Sequence, residues 1–378
     1  MQQEYFGSGC LAQLKAVLEM EKPASIFLVA GKNSYQTSGA QKILGPILHE
    51  YKVTFFSDFA VNPQLEDVQR GMALFKDSNC DLIIAIGGGS VLDMAKAINF
   101  LAAQPGEPES YITQKLNPVI EPESIIMVPT TAGTGSEATH FAVVYINKKK
   151  YSLAHKWMLP KYVFLDPSVT LTLPKNITAA TGADALCQAI ESYWSVQSTE
   201  ESKLFAREAI KLILENLVAA VNDPSPTNRE AMMKAANLAG KAINISKTTA
   251  CHSVSYPITS YFGVPHGHAC ALTLSEIFLY NSRITKTDCL DQRGAEYVSK
   301  TLSELYSLFQ VRTVEEMQEK INLLIDQIGL SRKLTSLNIH SQEDHNLIVA
   351  NGFNPERVKN NPRELTETAL REILKRIS

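Results

Sequence analysis

The chain has 378 residues, a length that exceeds one ordinary hydrophobic core and favours two domains. Of these residues 45% are hydrophobic and 20% are charged, which is typical of a folded globular protein. The formal net charge is −3, so no basic surplus favours binding to nucleic acid or to an anionic membrane. We therefore expect small-molecule partners and no nucleic-acid partner.

No apolar run reaches the roughly 18 residues that a membrane-spanning helix needs. The segment Met1–Tyr5 lacks the basic and apolar regions of a signal peptide. The six cysteines form no CxxC pair and are typical of reduced thiols that fill a core. These features predict a cytoplasmic protein without membrane contact.

Short apolar runs alternate with amphipathic stretches in the first half of the chain. Continuous apolar runs are typical of parallel strands, because helices cover both faces of a parallel sheet. The stretches Leu65–Asp77 and Val91–Ala103 have the spacing of amphipathic helices. This alternation predicts an α/β domain with a parallel sheet. The predicted strands are Ser25–Val29, Val53–Phe56, Leu82–Ile86 and Ile125–Val128.

The second half of the chain has a helical pattern almost throughout. The change comes after Asp166-Pro167 and Pro174-Lys175, and it predicts an α/β domain over residues 1–175 and an all-α domain over residues 176–378. The predicted helices are Ala179–Tyr193, Glu201–Val221, Asn228–Asn244, Ala295–Phe309 and Val314–Ile328.

A glycine triplet follows the third predicted strand. Leu82–Ile86 leads into Gly87, Gly88, Gly89 and Ser90, and a helix with Asp93 in its first turn begins just after. Glycines let a backbone approach an oxyanion, and the free N–H groups at a helix start point at it. The alternative is a tight strand-to-helix turn, which needs the same freedom of φ.

A second loop of small and hydroxyl residues follows the fourth predicted strand. It spans Val128–Thr139 and contains Thr130, Thr131 and Thr134. Ligands of open α/β folds bind beyond the carboxyl ends of the strands. Local hydrogen bonding within a Ser/Thr-rich turn is the other interpretation. Two such loops after two strands favour a dinucleotide site.

Four polar residues of the second half form a candidate metal site. Asp184 and Gln188 are four residues apart and share one face of a predicted helix. His252 and His266 are fourteen residues apart. Carboxylate and imidazole groups ligate zinc, iron and similar divalent ions, although each residue has an ordinary structural role as an alternative.

These motifs together resemble the iron-containing (group III) alcohol dehydrogenase family, whose fold is similar to that of dehydroquinate synthase. The resemblance covers nearly the whole chain. It rests on the segments at 6–9, 61–63, 87–93, 129–137, 182–191, 265–267 and 361–366.

The resemblance implies an NAD(P)-dependent dehydrogenase with a divalent metal, iron or zinc, that interconverts a small aldehyde and an alcohol. It implies that the cofactor contacts Gly87, Gly88, Gly89, Ser90, Asp93, Thr130, Thr131, Thr134 and Lys150. It also implies that the metal is held by Asp184, Gln188, His252 and His266. We further expect a homodimer or a larger homo-oligomer.

The chain departs from the family pattern at two positions. Gln188 stands where the family has a histidine ligand, which leaves the choice between zinc and iron open. Tyr256 stands where many relatives have another histidine, and it is a candidate catalytic residue or a packing residue. His268 is a second catalytic candidate, either as an extra imidazole near the metal or as a group behind the ligands.

Within the family, residues 183–196, 252–257 and 265–268 resemble the branch that reduces phosphonoacetaldehyde to 2-hydroxyethylphosphonate. A phosphonate needs cationic or hydroxyl donors, which His155, Lys156, Ser255, Tyr256 and His268 offer. The alternatives are a dehydrogenase for an aliphatic or sugar alcohol, a lyase of the dehydroquinate synthase type, and a non-catalytic cofactor-binding relative. Gly31 and Lys32 follow the first predicted strand, and neither carries a carboxylate. A carboxylate at this position would repel the 2′-phosphate of NADPH, so we expect NADPH to be accepted.

Overall fold

A computed structural model describes residues 2–378, apart from the side chains of Pro355 and Glu356. The chain divides into two compact units, one that extends up to Leu173 and one over Pro174–Ser378. Within residues 2–378, no helix is both long enough and apolar enough to cross a membrane.

The first unit contains a six-stranded, fully parallel sheet with the strand order β1-β8-β5-β4-β2-β3. The remaining two strands, β6 and β7, pair as an antiparallel hairpin. The strands are β1 Gln3–Phe6, β2 Ile26–Ala30, β3 Val53–Phe56, β4 Leu82–Gly87, β5 Ser124–Pro129, β6 Phe141–Ile146, β7 Lys149–Ala154 and β8 Tyr162–Leu165.

Both faces of this sheet are buried. Alternate residues of β2 point to opposite sides, so that Phe27 and Val29 join one apolar cluster while Ile26 and Leu28 join the other. Double burial explains why the central strands have no polar alternation in the sequence. The helices of this unit are α1 Leu14–Glu21, α2 Ser34–Thr37, α3 Ala40–Leu48, α4 Leu65–Ser78, α5 Gly89–Ala103 and α6 Pro108–Ile112.

The strand order has a reversal between β2 and β4. From β2 the chain continues to β3 on one side, and it then returns to place β4 on the other side of β2. A crevice therefore opens beyond the carboxyl ends of these two strands, which is where ligands bind in open α/β sheets. The loops at Gly31 and at Gly87–Ser90 leave the sheet at this point.

The second unit is helical and contains no strand among its described residues. The α/β and all-α fold class predicted from the sequence is thus confirmed. The helices are α7 Lys175–Trp194, α8 Glu200–Asn222, α9 Pro226–Ser246, α10 Ala250–Phe262, α11 His266–Ser282, α12 Ala295–Phe309, α13 Val314–Gln327, α14 Gln342–Asn351, α15 Pro355–Val358 and α16 Glu367–Arg376.

Candidate functional site

The glycine loop, Gly87–Ser90, packs tightly against the threonine loop, Thr130–Thr139. A Cβ atom added to Gly88 would lie 3.2 Å from the Cγ2 atom of Thr131. A Cβ atom added to Gly89 would lie only 2.5 Å from the Cγ2 atom of Thr134. The glycines are therefore required by the close approach of two loops that leave neighbouring strands.

Hydrogen bonds fix both loops at the carboxyl ends of β4 and β5. The backbone N–H of Thr130 donates to the Gly87 carbonyl at 3.0 Å, and the N–H of Asn62 donates to Ser90 Oγ at 3.1 Å. The Thr130 hydroxyl is buried and has no hydrogen-bond partner within residues 2–378. An unsatisfied buried hydroxyl is costly in a protein interior, and a polar group of a bound cofactor would satisfy it.

The structure places Asp93 behind the threonine loop. Its carboxylate accepts hydrogen bonds from Ser136 Oγ and from the N–H of Val143, the latter at 3.0 Å. Burial raises the pKa of Asp93, while nearby Lys96 and these hydrogen bonds act in the opposite direction. Asp93 therefore holds the loop in place, and the structure gives it protein partners at both carboxylate oxygens.

A buried lysine stabilises the same loop. Lys96 is 1% exposed, and its ammonium group donates to the backbone carbonyls of Ser136, Thr139 and Phe141. Burial lowers the pKa of Lys96 to about 8, although the carboxylate of Asp93 opposes the shift. Sequence reasoning missed this residue, because its position on the buried side of α5 has no polar pattern around it.

Two further predicted cofactor residues lie in the first unit. Lys150 is in β7, paired with Tyr145 of β6, and its charge is near enough to act on the pKa of Asp93. Gly31 follows β2, and its N–H donates to the Ile86 carbonyl of β4 at 3.3 Å. The end of β2 therefore lies beside the strand that leads into the glycine loop.

The second unit brings together three of the four predicted metal ligands. Donor atoms of Asp184, His252, His266 and Cys270 all lie within 4.8 Å of one another. His252 Nε2 lies 3.3 Å from Asp184 Oδ1, and Cys270 Sγ lies 3.9 Å from His266 Nε2. We call these four residues the donor cluster. Gln188 is buried one helical turn after Asp184 in α7.

A close contact between α7 and α11 sets the position of His266. A Cβ atom on Gly267 would lie 1.9 Å from the Ala180 carbonyl oxygen and 2.7 Å from Asp184 Cβ. Only glycine allows this approach, because backbone atoms cannot move aside as a flexible side chain can. The first residue of α11, His266, is thereby held beside the acidic face of α7.

Glu191 fixes the orientation of His252. One carboxylate oxygen accepts from the Thr249 hydroxyl at 2.7 Å and from the Cys251 N–H at 2.8 Å, while the other contacts His252 Nδ1. A proton on Nδ1 leaves the Nε2 lone pair directed at the donor cluster. His252 Nε2 is buried and makes no hydrogen bond within the described part of the chain.

The donor cluster fits a divalent cation. Zinc bonds of about 2.0–2.2 Å to nitrogen or oxygen and about 2.3 Å to sulfur imply tetrahedral separations of roughly 3.4 Å between nitrogen and oxygen and 3.6 Å between nitrogen and sulfur. The observed 3.3 Å between His252 and Asp184 and 3.9 Å between Cys270 and His266 are close to these values. Two acceptor atoms that face each other at 3.3 Å repel unless a cation or proton lies between them.

The two predicted catalytic residues are placed differently. The Tyr256 ring lies 6.2 Å from the His266 ring, and its phenolic oxygen accepts a hydrogen bond from Arg357 Nε at 3.2 Å. His268 does not join the donor cluster, because two residues after His266 a helical side chain points to another face. Its Nε2 donates to the Ser331 carbonyl at 2.7 Å, and burial lowers its pKa.

Of the remaining candidate polar groups, Ser255 lies beside the donor cluster, whereas His155 and Lys156 belong to the first unit. Ser255 Oγ lies 3.3 Å from His266 Nδ1 and donates to the His252 carbonyl at 2.7 Å, so it positions the ligand helix α10 against α11. His155 and Lys156 belong to the first unit, where His155 Nδ1 accepts from the Trp157 N–H at 3.3 Å. His155 therefore caps a short turn of its own unit.

Sequence reasoning missed three residues of this site. Cys270 follows His266 by four residues and Glu191 follows Asp184 by seven, so helical spacing could have placed both on the ligand faces. Arg357 had no such signal, because 101 residues separate it from Tyr256.

Comparison with known proteins identifies the family. Residues 2–167 match iron-containing alcohol dehydrogenase, and residues 178–378 match the C-terminal part of the Fe-containing alcohol dehydrogenase family. A phosphonoacetaldehyde reductase of Streptomyces viridochromogenes is 33% identical over 307 residues, which cover 78% of this chain and 75% of the relative. An NAD-dependent methanol dehydrogenase of Bacillus methanolicus is 32% identical over 85% of this chain and 84% of the relative.

A solved structure is similar over the full length. Sulfoacetaldehyde reductase from Bifidobacterium kashiwanohense, crystallised with NAD⁺, is 30% identical and has a TM-score of 0.87, covering 100% of this chain and 96% of that one. The fold is accordingly dehydroquinate synthase-like, as the resemblance implied. The chain therefore belongs to the iron-containing alcohol dehydrogenase family, and it is a nicotinamide-dependent oxidoreductase of alcohols or aldehydes that uses a divalent metal.

Proposed function

We propose that this enzyme reduces phosphonoacetaldehyde to 2-hydroxyethylphosphonate with NADH or NADPH. In this proposal the α/β unit binds the dinucleotide, and the helical unit holds the metal and the substrate. The roles change near the predicted boundary between residues 175 and 176.

The glycine loop receives the pyrophosphate of the cofactor. The first N–H groups of α5 have no partner inside the helix, and together with the helix dipole they attract an anion. Gly88 and Gly89 leave the backbone accessible, while Asp93 and Lys96 keep the threonine loop in place from behind. The Thr130 hydroxyl then completes its hydrogen bonding on the cofactor.

The donor cluster prepares the reacting end of the substrate. A bound divalent cation supplies Lewis-acid polarisation of the substrate oxygen, and the nicotinamide supplies the hydride. Asp184 contributes negative charge, and His252 and His266 contribute neutral nitrogen donors. Glu191 maintains the tautomer of His252, and Asp184 and His252 are buried, which limits the access of water to this side of the site.

A buried guanidinium group carries the proposal of an anionic substrate. Arg357 is 7% exposed, and its Nε atom holds the Tyr256 phenol, whose ring neighbours His266. The phosphonate of phosphonoacetaldehyde is attached to the carbon next to the carbonyl, so it must lie close to the group that polarises the oxygen. Arginine and a tyrosine hydroxyl are strong partners for phosphonate oxygens, and the Tyr256 ring lies beside His266 of the donor cluster.

Two of the similar proteins support the same substrate class. The names of the Streptomyces and Bifidobacterium relatives give aldehydes that carry a phosphonate or a sulfonate on the neighbouring carbon. A short uncharged aldehyde is the second candidate, because the methanol dehydrogenase of Bacillus methanolicus is as similar in sequence. Arg357 favours the anionic substrate over this alternative.

The test compares kcat/KM for phosphonoacetaldehyde, sulfoacetaldehyde and propanal with the wild-type enzyme and with Arg357→Gln. Loss of a charged hydrogen bond costs about 1.5–3 kcal/mol, which predicts a roughly 10- to 150-fold lower kcat/KM for the phosphonate. The kcat/KM for propanal should stay within about threefold of the wild-type value, because propanal has no anionic group for Arg357 to bind.

A matched control is Arg332→Gln, because Arg332 is an exposed arginine of the same unit that pairs with Asp326. This variant should have the wild-type kcat/KM for all three substrates. Equal kcat/KM for phosphonoacetaldehyde and propanal in the wild-type enzyme would refute the phosphonate as the substrate and leave the dehydrogenase assignment intact.

A further inference from the structure

The donor cluster contains a thiol that the family pattern does not provide. Cys270 lies on α11 one turn after His266, and its sulfur is 3.9 Å from His266 Nε2 and 4.0 Å from His266 Nδ1. The side chain is fully buried, and its sulfur lies within 4.8 Å of donor atoms of Asp184 and His252. The buried lone pair of His252 Nε2 is aimed into the same space.

We propose that Cys270 Sγ is the fourth protein ligand of the metal and replaces the imidazole that the family has at position 188. This inference rests on the metal role proposed above for Asp184, His252 and His266. On binding, the thiol proton is released to solvent and a metal–sulfur bond forms, so the ion gains a thiolate. Gln188 then lies beside the ion without supplying the fourth bond.

The spacing of the helix supports this exchange of ligands. Residues four apart on a helix lie on one face, about 5–6 Å apart at Cβ, so Cys270 and His266 can reach the same ion from α11. Asp184 on α7 and His252 on α10 complete the set from two other helices. Three helices therefore supply four donors, which is the number of protein ligands that the resemblance implies.

The thiolate changes the charge of the site. Asp184, Cys270 and two neutral imidazoles bring a charge of −2 to a divalent cation, and the sum is zero. The same set with neutral Gln188 in place of Cys270 would leave a net charge of +1. Thiolate is also a soft ligand that favours zinc over iron.

Other buried thiols nearby do not meet the same geometric condition. Cys187 on α7 and Cys251 on α10 are fully buried, and both are near enough to Cys270 for their charges to interact. Neither belongs to the donor cluster among the described residues. This makes Cys187→Ser a matched control, because it changes a neighbouring buried thiol outside the cluster.

The experiment is X-ray absorption spectroscopy of the full-length protein reconstituted with zinc, together with optical spectra of the cobalt form. Ligation by Cys270 predicts one sulfur scatterer at about 2.3 Å, and a sulfur-to-cobalt charge-transfer absorption in the near ultraviolet. Cys270→Ser should lose both signals and bind zinc at least about tenfold more weakly. Cys187→Ser should keep both signals.

The possible outcomes separate this inference from the proposed function. Bound zinc with only nitrogen and oxygen scatterers in the wild-type protein would overturn the role of Cys270 and leave the other three ligands standing. A sulfur signal that disappears in Cys187→Ser and persists in Cys270→Ser would also overturn it. Failure of the wild-type protein to retain any divalent metal would refute the proposed metal site itself.

Discussion

Substitution of Gly89 by alanine tests whether the contact between the glycine and threonine loops forms the cofactor site. The new Cβ atom would lie 2.5 Å from Thr134 Cγ2 and 2.7 Å from Thr134 Oγ1. Carbon atoms in contact normally lie about 3.5–4.0 Å apart, so the loops must separate by roughly 1 Å. Overpacking of this kind costs about 1–3 kcal/mol.

The expected result is weaker cofactor binding with a folded enzyme. If the loops relieve the clash by moving apart, closing them around the cofactor costs the same 1–3 kcal/mol, and Kd for NADH rises roughly 5- to 150-fold. Gly88→Ala is the graded comparison, because its Cβ atom would lie 3.2 Å from Thr131 and demands a shift of only a few tenths of an ångström. Its Kd should rise less.

The assay is titration of NADH fluorescence, combined with urea unfolding to record stability. A double-mutant cycle with Thr134→Ala isolates the clash, since that change removes both atoms nearest to the new Cβ. On the Thr134→Ala background, Gly89→Ala should cost clearly less than on the wild-type background. An equal cost on both backgrounds, or an unchanged Kd in Gly89→Ala, would refute the reasoning.

Three further predictions concern the other parts of the site. Glu191→Gln should weaken metal binding about 10- to 100-fold, because it disturbs the partner that orients His252; unchanged affinity in a chelator competition would contradict this. Gly267→Ala should reduce both metal content and thermal stability, because its Cβ atom would meet the Ala180 carbonyl oxygen at 1.9 Å; full metal occupancy at the wild-type Tm would show that the helices need not be so close. NADPH should support turnover, because Gly31 places no carboxylate at the end of β2; activity with NADH alone would disprove it.

The pattern of the sequence predicted the central strands and the amphipathic helices. The strand over Val53–Phe56 and the helix over Ala295–Phe309 have the predicted bounds, because apolar runs and helical periodicity are strong local signals. The strand β1, Gln3–Phe6, was not predicted. It is short, partly polar and at the sheet edge, so it acquires its structure from pairing with β8 rather than from its own pattern.

The helix that carries Asp184, α7, was predicted, whereas the two helices that carry His252 and His266, α10 and α11, were not. Within α10, every residue from Ala250 to Thr259 is buried, so the segment has no polar face and shows no helical period. The family motif identifies His252, whereas Cys270 lies outside every segment that carries the resemblance. The pairing of Arg357 with Tyr256 depends on tertiary packing alone, and no local pattern encodes a contact of that kind.

In both units, glycines allow two segments of the chain to pack in close contact. In the α/β unit, Gly88 and Gly89 let two loops meet, and in the helical unit Gly267 lets α11 touch the backbone of α7. In each unit a buried polar atom has no hydrogen-bond partner among residues 2–378, the Thr130 hydroxyl in the first and His252 Nε2 in the second. Since the whole chain carries a net charge of −3, general attraction cannot recruit an anionic cofactor or substrate. Affinity must instead come from these few buried groups, each effective because its surroundings have a low dielectric constant.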